Sequence, residues 1–243
     1  MAIKNITLKD KTFEINYEIQ NPKNQEIIVF LHGWGSNKEV MKKGFGDTLK
    51  HFKHFYIDMP GFGKSSNEYI LTTKEYSQII ELFLETLELH PTNITIAGHS
   101  FGGKVATLLH PKNLILLSSA GILEEKSPKV KAKIKLAKVM NKLGVSILSK
   151  LFRSKDVNTM SENMYGTFKN VVDEDFRKEF GQYDGNAIIF WGKSDTATSL
   201  ESGKKIATLI KNSHFYDFEG DHYFFLKHSK EIEKIIQHTI KEN

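Results

Sequence analysis

The chain contains no cysteine and only five prolines in 243 residues. The lack of cysteine excludes a disulfide framework and a cysteine-based zinc cluster. Long apolar runs are also missing: no apolar stretch approaches the roughly 20 residues of a membrane-spanning helix, so the sequence predicts no such helix. The segment Met1–Asp10 carries charges where a secretory signal has an apolar core. We therefore expect a cytoplasmic globular protein, either an enzyme or a binding protein, that is large enough to fold without a metal or a disulfide.

The charges are unevenly distributed along the chain. The formal net charge is +5, but Lys126–Lys155 alone contains nine lysines, one arginine and no acid. This segment lacks the aromatic interleaving that stacks on bases, so no nucleic-acid partner is expected. Three interpretations remain for it: a solvated face of a cap, a helix that binds anionic membranes, or a collector of acidic substrates. The solvated face is favoured, and no membrane contact is expected.

Short β-branched or apolar runs alternate with stretches of helical periodicity, which predicts an α/β protein with a mostly parallel sheet. Thr12–Ile19 alternates apolar and polar residues and predicts an antiparallel strand at one edge. Thr72-Thr-Lys-Glu75 and Thr198-Ser-Leu-Glu201 have capping-box spacing and predict two helix starts, with Pro91 stopping the first helix. The core strands are predicted at 27–31, 54–58, 94–97, 114–117, 187–191 and 214–218.

About seventy residues separate the strand that ends at Leu117 from the one that starts at Ala187. They show several helical patterns and no strand pattern, so they predict an inserted helical unit rather than a long loop. The predicted division is a core domain, 1–120 and 184–243, and a helical cap, 121–183.

The strongest local motif is Gly98-His-Ser-Phe-Gly102, which follows an apolar strand and precedes the helical stretch Val105–Leu109. A strand, G-x-S-x-G and a helix are the context of a nucleophile elbow, a strained turn that projects a serine hydroxyl above the sheet. This context predicts Ser100 as a nucleophile.

A nucleophilic serine needs a base to take its proton and an acid to orient that base. His222 lies in a loop after the last strand, and Asp195 lies in the loop after the preceding strand. Loops that follow parallel strands emerge at the same edge of a sheet as Ser100. We therefore predict a catalytic triad of Ser100, Asp195 and His222.

Acyl chemistry also needs hydrogen-bond donors for the developing oxyanion. Leu31-His-Gly-Trp-Gly35 follows the first core strand, and its glycines allow close backbone approach to a substrate. The predicted oxyanion-hole donors are the backbone N–H groups of Trp34 and Phe101. A phosphate-binding loop is not supported, because Asp58 stands where a P-loop ending at Gly63-Lys-Ser65 needs glycine, and no recognisable set of metal ligands is present.

Together these motifs make the chain resemble the α/β-hydrolase family. The matching pieces are His32-Gly-Trp-Gly35, Asp58-Met-Pro-Gly-Phe-Gly-Lys-Ser65, Gly98-His-Ser-Phe-Gly-Gly103, Trp191-Gly-Lys-Ser-Asp195 and Gly220-Asp-His222. The resemblance implies the α/β-hydrolase fold, with a sheet of about eight strands flanked by helices and a cap inserted after the sixth strand. It also implies no cofactor and the triad of Ser100, Asp195 and His222. The sequence departs from the family at Thr198, where relatives often carry proline.

The fold hosts many chemistries, so the residues of the site have to distinguish them. Serine at the elbow argues against the haloalkane dehalogenases and epoxide hydrolases, which use aspartate there. The first hypothesis is a serine hydrolase that cleaves a carboxylic ester or thioester of a small acyl substrate. The alternatives are a carbon-carbon bond hydrolase of the 2-hydroxy-6-oxo-dienoate type and a non-catalytic ligand receptor on the same fold.

Overall fold

The computed structural model describes residues 2–124 and 160–241 of the chain. Its strands are β1 (Ala2–Leu8), β2 (Lys11–Gln20), β3 (Ile27–Leu31), β4 (Lys53–Ile57), β5 (Thr95–His99), β6 (Asn113–Leu117), β7 (Asn186–Gly192) and β8 (Ser213–Phe218). They form one sheet in the order β1-β2-β4-β3-β5-β6-β7-β8. β2 is antiparallel to both of its neighbours, and all other pairs are parallel. The predicted mostly parallel eight-stranded sheet is confirmed.

The helices of the described residues are α1 (Lys38–Phe45), α2 (Thr73–Glu85), α3 (Phe101–Leu108), α4 (Glu162–Val171), α5 (Arg177–Gln182), α6 (Leu200–Leu209) and α7 (Phe225–Lys241). Alternate residues of the central strands face opposite layers. On β3, Val29 and Leu31 pack in the core with α2, α3 and α6, while Ile28 and Phe30 pack with α1 and α7. The sheet is therefore buried on both faces, as its continuous apolar strands require.

The capping box predicted at Thr72 forms as expected. The Thr72 hydroxyl accepts the Glu75 N–H at 3.2 Å, and the Glu75 carboxylate accepts the Thr72 N–H at 2.9 Å. The helix ends at Glu85, earlier than the stop predicted at Pro91, and Pro91 instead opens a short 3₁₀ turn, Pro91–Asn93.

The second predicted capping box does not form, and the helix starts one residue later than predicted. Ser199, not Thr198, is the N-cap of α6, and its hydroxyl accepts the Ser202 N–H at 3.2 Å. Thr198 is not available as a cap because its hydroxyl contacts the Asp195 carboxylate at 2.9 Å.

The described part of the predicted cap lies firmly against the core. On α4, Asn163 donates a hydrogen bond to the Asn67 carbonyl at 2.7 Å, and Thr167 accepts the Leu71 N–H at 3.0 Å. The basic segment Lys126–Lys155 and its apolar residues lie outside the described residues. Within 2–124 and 160–241, no helix combines the length and apolar character that a membrane crossing requires.

Candidate active site

Ser100 lies at a strained turn between β5 and α3. It is the N-cap of α3 with φ of 51° and ψ of −115°, a left-handed backbone that costs energy for a residue with a side chain. A Cβ atom at Gly98 would collide with the Gly102 carbonyl, and one at Gly102 would collide with the Leu31 carbonyl. The glycines thus allow the sharp turn, and the Ser100 side chain does not fold back to cap α3.

The structure brings Asp195 and His222 into direct contact. His222 lies in the loop after β8, and Asp195 lies in the loop after β7. Nδ1 of His222 is 2.7 Å from Oδ2 of Asp195. The Asp195 carboxylate also accepts the N–H groups of Ala197 and Thr198, at 2.8 and 3.0 Å, and contacts the Thr198 hydroxyl. These contacts hold the carboxylate in one orientation toward the imidazole.

Asp195 is held in its charged form. Burial raises the pKa of its carboxyl, but hydrogen bonds from His222 and from the Thr198 N–H lower it more, so that the pKa falls to about 2. A charged carboxylate only accepts hydrogen bonds, so Nδ1 of His222 carries a proton. When the imidazole is neutral, Nε2 is therefore its basic nitrogen.

The His222 loop and the Ser100 turn are joined by His99. Nε2 of His99 lies 2.9 Å from the His222 carbonyl oxygen, and the two imidazole rings are 4.6 Å apart. Ser100 is the next residue in the chain and is partly exposed, as is His222. All three predicted triad residues lie at the carboxyl edge of the parallel strands.

The loop of the predicted oxyanion-hole residue Trp34 lies against the nucleophile turn. A Cβ atom at Gly33 would be 3.1 Å from Cβ of Ser100, so a side chain at this position would require a neighbour to shift. The Phe101 N–H is the first donor of α3, where no residue earlier in the helix can accept it. The loop that carries Trp34 and the Phe101 N–H thus both adjoin Ser100.

Buried polar side chains, whose contacts the sequence does not reveal, hold this loop in place. Nε2 of His32 accepts the Met59 N–H at 3.0 Å, while its Nδ1 donates to the Gly33 carbonyl at 2.8 Å. Burial lowers the pKa of His32 to about 4, so the ring is neutral and can accept and donate at once. Nearby, Lys38 and Asp58 form a buried ion pair of 2.6 Å. Asp58 stands in a quoted family motif, but nothing in the sequence identified Lys38 as its partner.

Aromatic side chains form an apolar wall above the loop. The Trp34 ring packs against Phe62, Phe101 and Phe168, at centroid distances of 4.9, 5.6 and 5.5 Å. Phe168 belongs to α4, so the described part of the predicted cap contributes to this wall.

A second buried lysine joins α3 to the end of α4 and to the residues that follow it. Nζ of Lys104 donates to the carbonyl of Val171 and to Glu174, the latter at 2.9 Å, with its side chain only 2% exposed. It also lies 5.0 Å from the centre of the Phe176 ring. The apolar surroundings lower the pKa of Lys104, although Glu174 opposes this effect.

The arrangement can generate a nucleophile and stabilise an oxyanion. It has a partly exposed serine on a strained turn, an oriented imidazole with a charged acceptor, and a backbone donor at the start of α3 beside the turn. No group of three or more potential metal-ligating side chains occurs within 2–124 and 160–241.

Comparison with known proteins assigns the chain to a family. The model of the alpha/beta hydrolase family matches residues 28–188, which is more than half of the chain. The chain belongs to the alpha/beta hydrolase family. An esterase from Exiguobacterium antarcticum has the same fold, with a TM-score of 0.76 over 98% of both chains at 20% sequence identity.

The curated relatives include methyl ester esterases. The chain is 28% identical to the pimeloyl-[acyl-carrier protein] methyl ester esterase of Wigglesworthia glossinidia brevipalpis, over 74% of this chain and 64% of that protein. The enzyme of the same name from Pseudoalteromonas atlantica is 36% identical over 38% of this chain and 37% of that protein. The chain therefore spans less than two thirds of the length of these relatives.

Proposed function

We propose that the protein is a serine hydrolase that cleaves a carboxylic ester or thioester through an acyl-enzyme intermediate. The observation that carries this proposal is the His222–Asp195 hydrogen bond of 2.7 Å, beside a serine held at φ of 51° in a nucleophile elbow. The methyl ester esterases among the relatives support an ester as the group that is cleaved.

In the first half of the reaction, Oγ of Ser100 attacks the acyl carbon while Nε2 of His222 takes the hydroxyl proton. The charged Asp195 carboxylate stabilises the imidazolium that forms. The N–H groups of Trp34 and Phe101 donate to the oxyanion of the tetrahedral intermediate, and each such donor contributes on the order of 10²–10³ in rate.

The intermediate then collapses, and His222 gives its proton to the departing alcohol or thiol, which leaves the acyl group on Ser100. In the second half, a water molecule gives a proton to His222 and attacks the acyl carbon; His222 then gives this proton to Oγ of Ser100 as the acid leaves. The apolar wall of Trp34, Phe62 and Phe168 adjoins the predicted oxyanion-hole loop, which favours a hydrophobic acyl group over a charged one.

The test is turnover of a panel of substrates by the full chain. The panel contains p-nitrophenyl esters of increasing acyl length, an acyl thioester and a 2-hydroxy-6-oxo-dienoate. We expect ester or thioester turnover that Ser100→Ala and His222→Ala each abolish, because both remove a reacting group.

Matched controls are Ser66→Ala and His90→Ala, which change exposed residues and should leave turnover within two-fold of the unaltered protein. Cleavage of the dienoate alone would replace the proposal with carbon-carbon bond hydrolysis. Binding of ligands without turnover of any substrate would favour a receptor.

A further inference from the structure

His99, the residue before the proposed nucleophile, makes contacts that the mechanism above does not use. Its ring is buried, with 1% of the residue exposed. The ring packs 5.0 Å from the rings of Tyr223 and Phe225, which follow His222 in the chain. The same ring lies 4.6 Å from the imidazole of His222 and bonds to its carbonyl. His99 is thus a bridge between the nucleophile turn and the loop that carries the proposed base.

The hydrogen bond fixes the tautomer of His99. A carbonyl oxygen only accepts, so Nε2 of His99 carries the proton and donates it to the His222 carbonyl at 2.9 Å. Nδ1 is therefore unprotonated, and it is buried without a hydrogen-bond partner. It faces the oxyanion loop, since a Cβ atom at Gly33 would lie 3.0 Å from it. The His99 ring, beside the Ser100 turn, therefore contacts two other loops of the site, the His222 loop and the oxyanion loop.

His99 also stays uncharged beside a residue that gains a proton in each half of the proposed cycle. Burial is the main cause that lowers the pKa of His99 to about 3, and the charge of His222 lowers it further. A charged ring 4.6 Å from His222 would oppose formation of the imidazolium. A neutral donor holds the His222 backbone without that penalty.

We propose that His99 is a positioning residue, whose Nε2–H bond to the His222 carbonyl sets where the base lies relative to Ser100. This inference rests on the proposed function, because it assumes that His222 acts on Ser100. An apolar side chain of similar size would fill the same space but would leave the carbonyl without this donor. The inference therefore concerns the hydrogen bond, not the packing of the ring.

Three variants separate the hydrogen bond from the packing. His99→Gln places an amide N–H near the position of Nε2, and His99→Met fills the space without a donor. His99→Asn keeps a polar amide that is too short to reach the His222 carbonyl. Thermal unfolding of each variant identifies any that fails to fold. If either His99→Met or His99→Asn fails to fold, the other one still tests the loss of the donor.

The kinetic readout is kcat and KM for a short p-nitrophenyl ester. We expect His99→Met and His99→Asn to lower kcat by about 10–100-fold with KM within about three-fold, since a misplaced base slows the chemical step and leaves binding intact. His99→Gln should restore kcat to within about five-fold of the unaltered protein. A kcat within two-fold in both non-donor variants, or equal losses in Gln and Asn, would overturn the proposal.

A second readout needs no substrate. The proton that His222 Nδ1 shares with Asp195 gives a strongly deshielded proton NMR resonance, which is assigned by its loss in His222→Ala. We expect this resonance to broaden or vanish in His99→Met and His99→Asn and to persist in His99→Gln. Its persistence in all three variants would contradict the positioning role.

The two proposals fail in different ways. If the unaltered protein shows no turnover that depends on Ser100, the proposed function fails, and the NMR readout still decides whether His99 orders His222. If turnover depends on Ser100 but not on the donor at position 99, only the positioning role is wrong.

Discussion

The buried Lys38–Asp58 pair provides a stability prediction whose magnitude follows from the structure. Nζ of Lys38 lies 2.6 Å from Oδ2 of Asp58, and the two side chains are 2% and 1% exposed. Asp58 also accepts the N–H groups of Lys38 and Lys64, at 2.8 and 3.0 Å. Removal of either partner leaves the other charge buried, and such a change costs about 3–5 kcal/mol.

Each single substitution should fall near the lower end of that range. In Lys38→Met the carboxylate retains its two backbone donors. In Asp58→Asn the ammonium retains Glu39, whose carboxylate lies 3.7 Å away and is 53% exposed. We therefore expect each variant to lose about 3 kcal/mol of unfolding free energy.

The double variant separates the pair energy from other effects. If the two losses added, the total of about 6 kcal/mol would remove much of the 5–15 kcal/mol that stabilises a typical domain. With both charges removed, no unpaired charge is buried, so the double variant should lose no more than either single variant, about 3 kcal/mol, which corresponds to a coupling of about 3 kcal/mol.

Urea unfolding at constant pH measures all four free energies, and the m-values should agree because each variant exposes the same surface. Single losses below about 1 kcal/mol, or strictly additive losses, would show that this pair does not behave as a buried ion pair and would refute the reasoning.

Three further predictions concern the pH dependence of stability, the Lys104–Glu174 ion pair and the contact between Thr198 and Asp195. Burial lowers the pKa of His32 to about 4 and that of His99 to about 3, so the unfolded chain binds more protons below pH 6.5. The contribution of these two histidines to the unfolding free energy should thus drop by about 3–4 kcal/mol from pH 7 to pH 5, and the total drop should be about 2 kcal/mol smaller in His99→Gln; equal drops in the two proteins would contradict this. Glu174→Gln should cost about 2 kcal/mol in urea unfolding, and the exposed control Glu201→Gln less than 1 kcal/mol. Thr198→Val should lower kcat about 3–10-fold, because Asp195 loses a hydroxyl contact, and Thr198→Ser should retain the kcat of the unaltered protein. Equal kcat values for the Val and Ser variants would show that the hydroxyl does not contribute.

Much of the fold could be predicted from the sequence because the central strands are continuous apolar runs that end at glycine or a polar residue. β3 occurs at the predicted residues, and β4 to β8 differ by one or two residues at one or both ends. β1 was not identified, since it is an edge strand whose Ile3 is 61% exposed and whose pattern gives little sign of burial. Its pairing with β2 depends on tertiary structure.

The triad candidates were found because each lies in a short loop directly after an apolar strand. The buried residues Lys38, Lys104 and His99 could not be predicted, because charged and polar side chains are usually expected at the surface. Lys38 is a lysine on an eight-residue helix, and Lys104 follows a glycine pair, so neither suggests a side chain that is 2% exposed. His99 was quoted only as the variable position of a motif. Its partner is the backbone of His222, 123 residues away, which no local pattern encodes.

The central claim is that Ser100 becomes acylated during turnover. A direct measurement mixes the full chain with excess p-nitrophenyl ester, stops the reaction with acid within milliseconds, and determines the intact mass and the modified peptide. The account predicts a mass increase equal to the acyl group on the peptide that contains Ser100, at a rate that matches the initial burst of p-nitrophenol. The adduct should be absent in Ser100→Ala and should accumulate slowly in His222→Ala. Turnover with no acylated Ser100, or with the acyl group on another residue, would contradict it.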